Sequence, residues 1–123
     1  MKRSLFQVYV KDSKNAVLFY QNAFESPLGL HYRNEDGTFM HAELSIHGHI
    51  LAVSEADSSA QTVTGNTMQC CFHFEEEEES FVRKAYDVLK NGAEVIHPLG
   101  PCSYSSLMTD LIDKYGIRWC LFV

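Results

Sequence analysis

The sequence predicts an α+β fold in which a βαβββ module occurs twice. One order of strand-like and helix-like segments runs twice through 123 residues, and matching residues recur at nearly constant spacing. Size agrees: 123 residues, 46% of them hydrophobic, suffice for one core and fall short of two independent ones. We therefore expect a single domain over 1–123, with module one at about 1–56, a connection at about 57–66 and module two at about 67–123.

Leu5 to Val10 has the aromatic and β-branched character of a strand, with Phe6, Val8 and Val10 on one face and Leu5, Gln7 and Tyr9 on the other. A helix should follow. Asp12 or Ser13 can accept hydrogen bonds from its free N–H groups, and Ala16, Val17, Tyr20, Ala23 and Phe24 recur at helical spacing. Pro27 and Gly29 close it, a short strand spans Leu30 to Arg33, and Asn34-Glu35-Asp36-Gly37 signals a turn. From Phe39 to Ile46, Met40, Ala42, Leu44 and Ile46 alternate with His41, Glu43 and Ser45, as in a half-buried strand. Gly48 turns the chain into a strand over Ile50 to Ser54.

Small and polar residues from Glu55 to Asn66 form the connection. The order then recurs. Met68 to Phe74 reads as a strand, the acidic run opens a helix from about Glu77 to Asn91, and Gly92 ends it. Glu94 to His97 is a short strand stopped by Pro98, and a looser stretch leads to a hairpin of Leu107–Ile112 and Ile117–Phe122 around Asp113-Lys114-Tyr115-Gly116. Val10 and Phe74 lie 64 positions apart, Val17 and Val82 lie 65 apart, and Gly48 and Gly116 lie 68 apart. Increments that grow at loops are what a duplicated unit shows.

The net charge of -6 and the scattered basic residues give no footprint for nucleic acid or an anionic membrane. A charge at Lys11 precedes any apolar stretch of signal-peptide length, and nothing later reaches the length of a membrane span, so we expect a cytoplasmic protein. Cys70, Cys71, Cys102 and Cys120 include no CxxC pair and are read as free thiols, Cys70 and Cys71 facing opposite sides of a strand.

The segments VYVKDSKNAVLFYQNAFE, MHAELSIHGHILAVSEA, YDVLKNGAEVIHPL and DKYGIRWCLF resemble, in order and spacing, the PhnB-like branch of the vicinal-oxygen-chelate (glyoxalase/bleomycin-resistance/extradiol-dioxygenase) superfamily. The ending Asp113, Gly116 and Trp119 after a YxxLxxGA helix end is its most specific part. The resemblance implies two modules whose mixed sheets curve around a cleft, helices on the outer faces, and commonly a homodimer. Metal-dependent members carry ligands at positions that map here to Leu5, Ala52, Gln69 and Cys120. Leucine and alanine cannot coordinate a metal, and Gln69 with Cys120 makes a poor hard-metal pair, so no metal or other cofactor is expected. A shift of two residues along the first strand would bring in Gln7.

The remaining cleft candidates are Tyr9, His41, Glu43, Cys71, His73, Arg118 and Phe122. His41 and Glu43 share one strand face, and His73 shares a face with Gln69 and Cys71; a polar lining is the simplest reading of both sets. His47 and His49 flank a turn, His31 and His97 have no evident partner, and Trp119 points into the core. Cys120, with Arg118 on its face, reads as a structural thiol in the absence of a catalytic Cys/His/Asn spacing. The expected function is metal-free binding of a small amphipathic or aromatic molecule in the cleft. Two alternatives stand: a divalent-metal lyase, isomerase or dioxygenase built on His41, Glu43, His73 and Gln69, and a dimeric interaction domain without ligand. Neither a Gly-rich phosphate loop nor a dinucleotide-type fingerprint occurs.

Overall fold

The computed structural model describes residues 1–59 and 61–123; Ala60, inside the expected connection, lies outside the described residues. The chain divides into two compact units, Met1–Val63 and Thr64–Val123. Each holds a four-stranded mixed sheet and a helix.

Module one contains β1 (Phe6–Val10), α1 (Ser13–Phe24), β2 (Leu28–Arg33), β3 (Phe39–Ile46) and β4 (His49–Glu55) in the spatial order β1-β4-β3-β2. β1 runs parallel to β4, and the other pairs are antiparallel. The helical spacing does what it promises: Ala16, Val17, Tyr20, Ala23 and Phe24 are buried, and α1 lies against β3 and β4. The helix start differs from expectation. Asp12 has a left-handed backbone and offers no side-chain cap; the Glu55 carboxylate, at the end of β4, instead accepts from the Asp12 and Ser13 amides and the Ser13 hydroxyl. Residues distant in sequence thus satisfy the orphan donors of the first turn.

Two further details of module one depart from the sequence pattern. Met40, assigned to the apolar face of β3, is 60% exposed, whereas Phe39, Ala42, Leu44 and Ile46 are buried. The cause is a register shift: Tyr32 pairs with His41 and Arg33 with Phe39, so Met40 is the unpaired residue of a bulge. Gly29 lies inside β2 rather than before it. A Cβ there would come within 3.0 Å of the Glu43 carbonyl oxygen, which explains a residue without one.

Module two contains β5 (Cys70–His73), a 3-10 turn (Glu76–Glu78), α2 (Glu79–Leu89), β6 (Glu94–Gly100), β7 (Met108–Ile112) and β8 (Arg118–Phe122), ordered β5-β8-β7-β6. The acidic run forms the 3-10 turn that leads into α2, and Glu75 and Glu78 cap that turn with a reciprocal capping box. β6 continues through Pro98 to Gly100 instead of stopping before it. It is an edge strand, and its pairing with β7 shifts between His97 and Gly100, so the missing proline N–H costs the ladder nothing.

The Asp113/Gly116/Trp119 ending is a structural clamp. Asp113 Oδ1 accepts from the Tyr115 and Ile117 amides, and its Oδ2 accepts from the buried Trp119 indole at 2.9 Å. Trp119 stacks beside Phe72 in the core. All four cysteines are free, with Cys70 buried and Cys71 exposed on opposite faces of β5. Among the described residues, no helix is long and apolar enough to cross a membrane.

Candidate functional site

In each module, the sheet face turned away from the apolar strand positions carries a row of three residues set by register. In module one, Gln7 pairs with Ala52 and Ala52 with Glu43; in module two, Cys71 pairs with Cys120 and Cys120 with Asp110. Paired residues of adjacent strands project to one side, so each row is a contiguous strip. Leu5 lies just before β1, and the neighbour of Ala52 on that strand is Gln7.

The module-one strip is a charge network. Arg3 donates two hydrogen bonds to Glu43, at 2.6 and 2.9 Å, and His41 Nε2 lies 2.8 Å from Glu43 Oε1. The Arg3 guanidinium, then His41, holds the Glu43 carboxyl down at about 2. Beside it, Gln7 Nε2 donates to Ser54 Oγ at 2.7 Å, and Tyr9, in register with Ser54, is 65% exposed.

The module-two strip joins a second ion pair to aromatic rings and thiols. Arg118 donates to both Asp110 oxygens, at 3.0 and 2.8 Å, and to the Asn66 carbonyl at 2.6 Å; Gln69 Nε2 donates to Asp110 Oδ1 at 3.0 Å. Further along the same face, His73 stacks on Phe122 with centroids 4.3 Å apart and an interplanar angle of 15°. Tyr104 meets the Phe122 ring edge-on at 5.3 Å, and its hydroxyl lies 4.0 Å from Cys120 Sγ. Burial, then the nearby Cys71 thiol, pushes Cys120 up to about 11.

The sequence-derived candidates therefore fall into two groups. Gln7, Tyr9, His41, Glu43 and Ala52 share the module-one face; Gln69, Cys71, His73, Arg118, Cys120 and Phe122 share that of module two. Sequence reasoning missed Arg3, Asp110 and Tyr104. Asp110 had a signal, since it repeats Glu43 at an offset close to that of Gly48 and Gly116. Arg3 and Tyr104 lie outside strands, where no periodicity marks them. Of the other histidines, His47 and His49 are exposed as expected; His31 has a partner after all, its Nδ1 lying 2.8 Å from the Gly29 carbonyl. Among the described residues, buried His97 Nδ1 has no hydrogen-bond partner.

As a donor set the strips fit a metal poorly. Leu5 and Ala52 offer no donor atom, and Glu43 is occupied by a guanidinium. No group of three or more His, Cys, Asp or Glu side chains among the described residues is arranged to hold a metal ion.

Comparison with known proteins agrees with the fold. Protein PA1353 from Pseudomonas aeruginosa has a similar crystal structure, with a TM-score of 0.82 and 14% identity over 99% of this chain and 97% of that one. A putative 3-demethylubiquinone-9 3-methyltransferase, PhnB protein, from Bacillus cereus gives 0.72 and 20% over 98% of both chains. The E126Q mutant of the fosfomycin resistance protein FosX from Listeria monocytogenes, complexed with Mn(II) and 1S,2S-dihydroxypropylphosphonic acid, gives 0.68 and 20% over 98% of this chain and 90% of that one. No curated protein matches in sequence. The model of the Glyoxalase/Bleomycin resistance protein/Dioxygenase superfamily matches residues 4–121, and the chain, carrying that fold in both modules, belongs to this superfamily.

Proposed function

We propose that this protein is a metal-free small-molecule-binding member of its superfamily, taking an aromatic or amphipathic ligand on the strip of module two. The observation that carries this reading is the Tyr104–Phe122–His73 ring cluster beside the Asp110–Arg118 pair. Tyr104 is 61% exposed and presents a ring to which another ring can pack; the neighbouring ion pair supplies directional polar contacts.

Metal independence is supported by donor chemistry. A site rearranged around His41, Glu43, His73 and Gln69 would need Glu43 to exchange a two-point contact with Arg3 for a cation, and Gln69 already donates to Asp110. FosX binds Mn(II), but at 20% identity the likeness to it reaches only the fold. Protein purified without a His-tag is expected to contain metal well below one equivalent and to gain no thermal stability from Mn(II) or Zn(II). Stoichiometric metal would overturn this part.

Thermal-shift screening of small aromatic acids and amphipathic metabolites, followed by calorimetry, tests binding. The expected result is a saturable ligand whose affinity falls roughly 2- to 10-fold in Tyr104→Ala, the worth of one aromatic contact. A ligand equally tight in that variant would place the site elsewhere. We further infer a cytoplasmic homodimer, supported by four free thiols and by the exposed Leu30 and Tyr32 on edge strand β2. Sedimentation equilibrium at micromolar concentration should return twice the chain mass; a monomer would refute the dimer.

A further inference from the structure

The module-two strip also holds a pair of thiols that the proposed ring and ion-pair contacts do not call on. Cys71 on β5 and Cys120 on β8 are direct partners in a parallel ladder, so both thiols project from one face of adjacent strands. Neighbouring strands run about 4.8 Å apart, within the range of Cα separations that disulfides span. The two thiols differ in access: Cys71 is exposed, whereas Cys120 is 5% exposed beneath the Tyr104 hydroxyl.

We propose that Cys71 and Cys120 form a reversible cross-strand disulfide when the protein meets a peroxide, making this face an oxidation-sensitive site. Exposed Cys71 reacts first. Its sulfur attacks one peroxide oxygen, the S–O bond forms as the O–O bond breaks, and the departing hydroxide leaves as water with the thiol proton. Cys120 Sγ then attacks the sulfenyl sulfur; the S–S bond forms, the S–O bond breaks, and a second water carries away the Cys120 proton. Two thiols lose two electrons together, and one peroxide becomes two waters. The order follows from the site, since the elevated Cys120 stays protonated and is the poorer first nucleophile.

A small thiol reductant can reach the exposed Cys71 sulfur and return both thiols, as a reversible modification requires.

The test uses the full chain, treated with hydrogen peroxide and then alkylated in denaturant for mass analysis. Wild-type monomer is expected to lose two of its four alkylatable thiols and the mass of two hydrogens, and to recover both on treatment with a thiol reductant. Cys71→Ser and Cys120→Ser should each abolish the paired loss, while Cys70→Ser and Cys102→Ser should retain it. Because Cys71 is exposed, its serine variant tests the pair even if replacing buried Cys120 impairs folding. Paired loss that persists in Cys71→Ser, a cross-link only between chains, or stepwise oxygen addition without loss of a thiol pair would each overturn the proposal. The site stands on strand register and needs no bound ligand, so a failed ligand screen leaves it unaffected.

Discussion

Module one clasps Glu43 with Arg3, from the segment ahead of β1, whereas module two clasps Asp110 with Arg118 from the neighbouring strand β8. The two carboxylates occupy equivalent rungs, opposite Ala52 and Cys120, and each receives two guanidinium hydrogen bonds. Topology and register are thus common to both modules, and the tethers are not. The helix starts divide in the same way: α1 is capped across the sheet by Glu55, and the 3-10 turn that leads into α2 is capped locally by Glu75 and Glu78. Register follows from a backbone pattern shared by both copies, whereas a side-chain tether needs only a partner within reach. The two modules therefore share their register and differ in their tethers.

The largest effect should come from the clamp that closes β7 onto β8. Asp113→Ala removes three acceptor contacts and strands the buried Trp119 indole N–H. With a buried unsatisfied donor costing about 1–3 kcal/mol and bonds to a carboxylate adding to it, a loss of about 3 kcal/mol in urea denaturation is expected. A loss below about 1 kcal/mol would show that the turn holds without its carboxylate.

The paired hairpin glycines come next. Gly48 and Gly116 both have positive φ, 89° and 86°, so alanine at either should cost about 1 kcal/mol for backbone conformation alone. Their surroundings separate them. Among the described residues, a Cβ at Gly48 meets nothing within 4 Å, and one at Gly116 would lie 2.8 Å from Thr64 Oγ1. Gly116→Ala should therefore be the more harmful, and Thr64→Ala added to it should return the cost to that of Gly48→Ala. Equal costs in the single variants would mean that Thr64 moves aside freely.

This pair of glycines also marks what the sequence made legible. Their offset, with that of Val10 and Phe74, located both modules and nearly every strand, because period-two burial and positive-φ turns leave direct traces in residue choice. The bulge at Met40 left none, since an extra residue in one strand reads as ordinary alternation until its partner strand is known. For the candidate site, the strand face of each residue was legible and its partner was hidden. Gln7, His41, Glu43, Cys120 and Phe122 were placed on polar faces by alternation, but Arg3 and Tyr104 reach those faces from irregular chain whose course no local pattern encodes.

Helix capping gives a smaller contrast. Glu55→Ala should cost about 1 kcal/mol, the usual worth of an N-terminal cap, because it leaves two amides and a hydroxyl of α1 without their acceptor. Glu75→Ala should cost less, since that box is exposed and water replaces it. Thermal unfolding followed by circular dichroism ranks the two, and a reversed order would refute the distinction between tertiary and local capping.

The smallest effect is the acid response of the module-one clasp. Glu43 titrates at about 2 in the folded chain, below its ordinary 4.5, because Arg3 and then His41 bind the charged form. A carboxyl depressed in this way contributes stability that is complete above about 4.5 and is lost as pH falls through about 2. The stability difference between wild type and Glu43→Gln should therefore be greatest at neutral pH and shrink across that interval. It should remain well below the Asp113→Ala loss, because the Arg3 side chain is 49% exposed and solvent screens the pair. Denaturation midpoints measured from pH 6 down to about pH 2 decide it. A difference that does not change with pH would assign the effect of Glu43→Gln to packing on the Ala52 rung instead of to the clasp with Arg3.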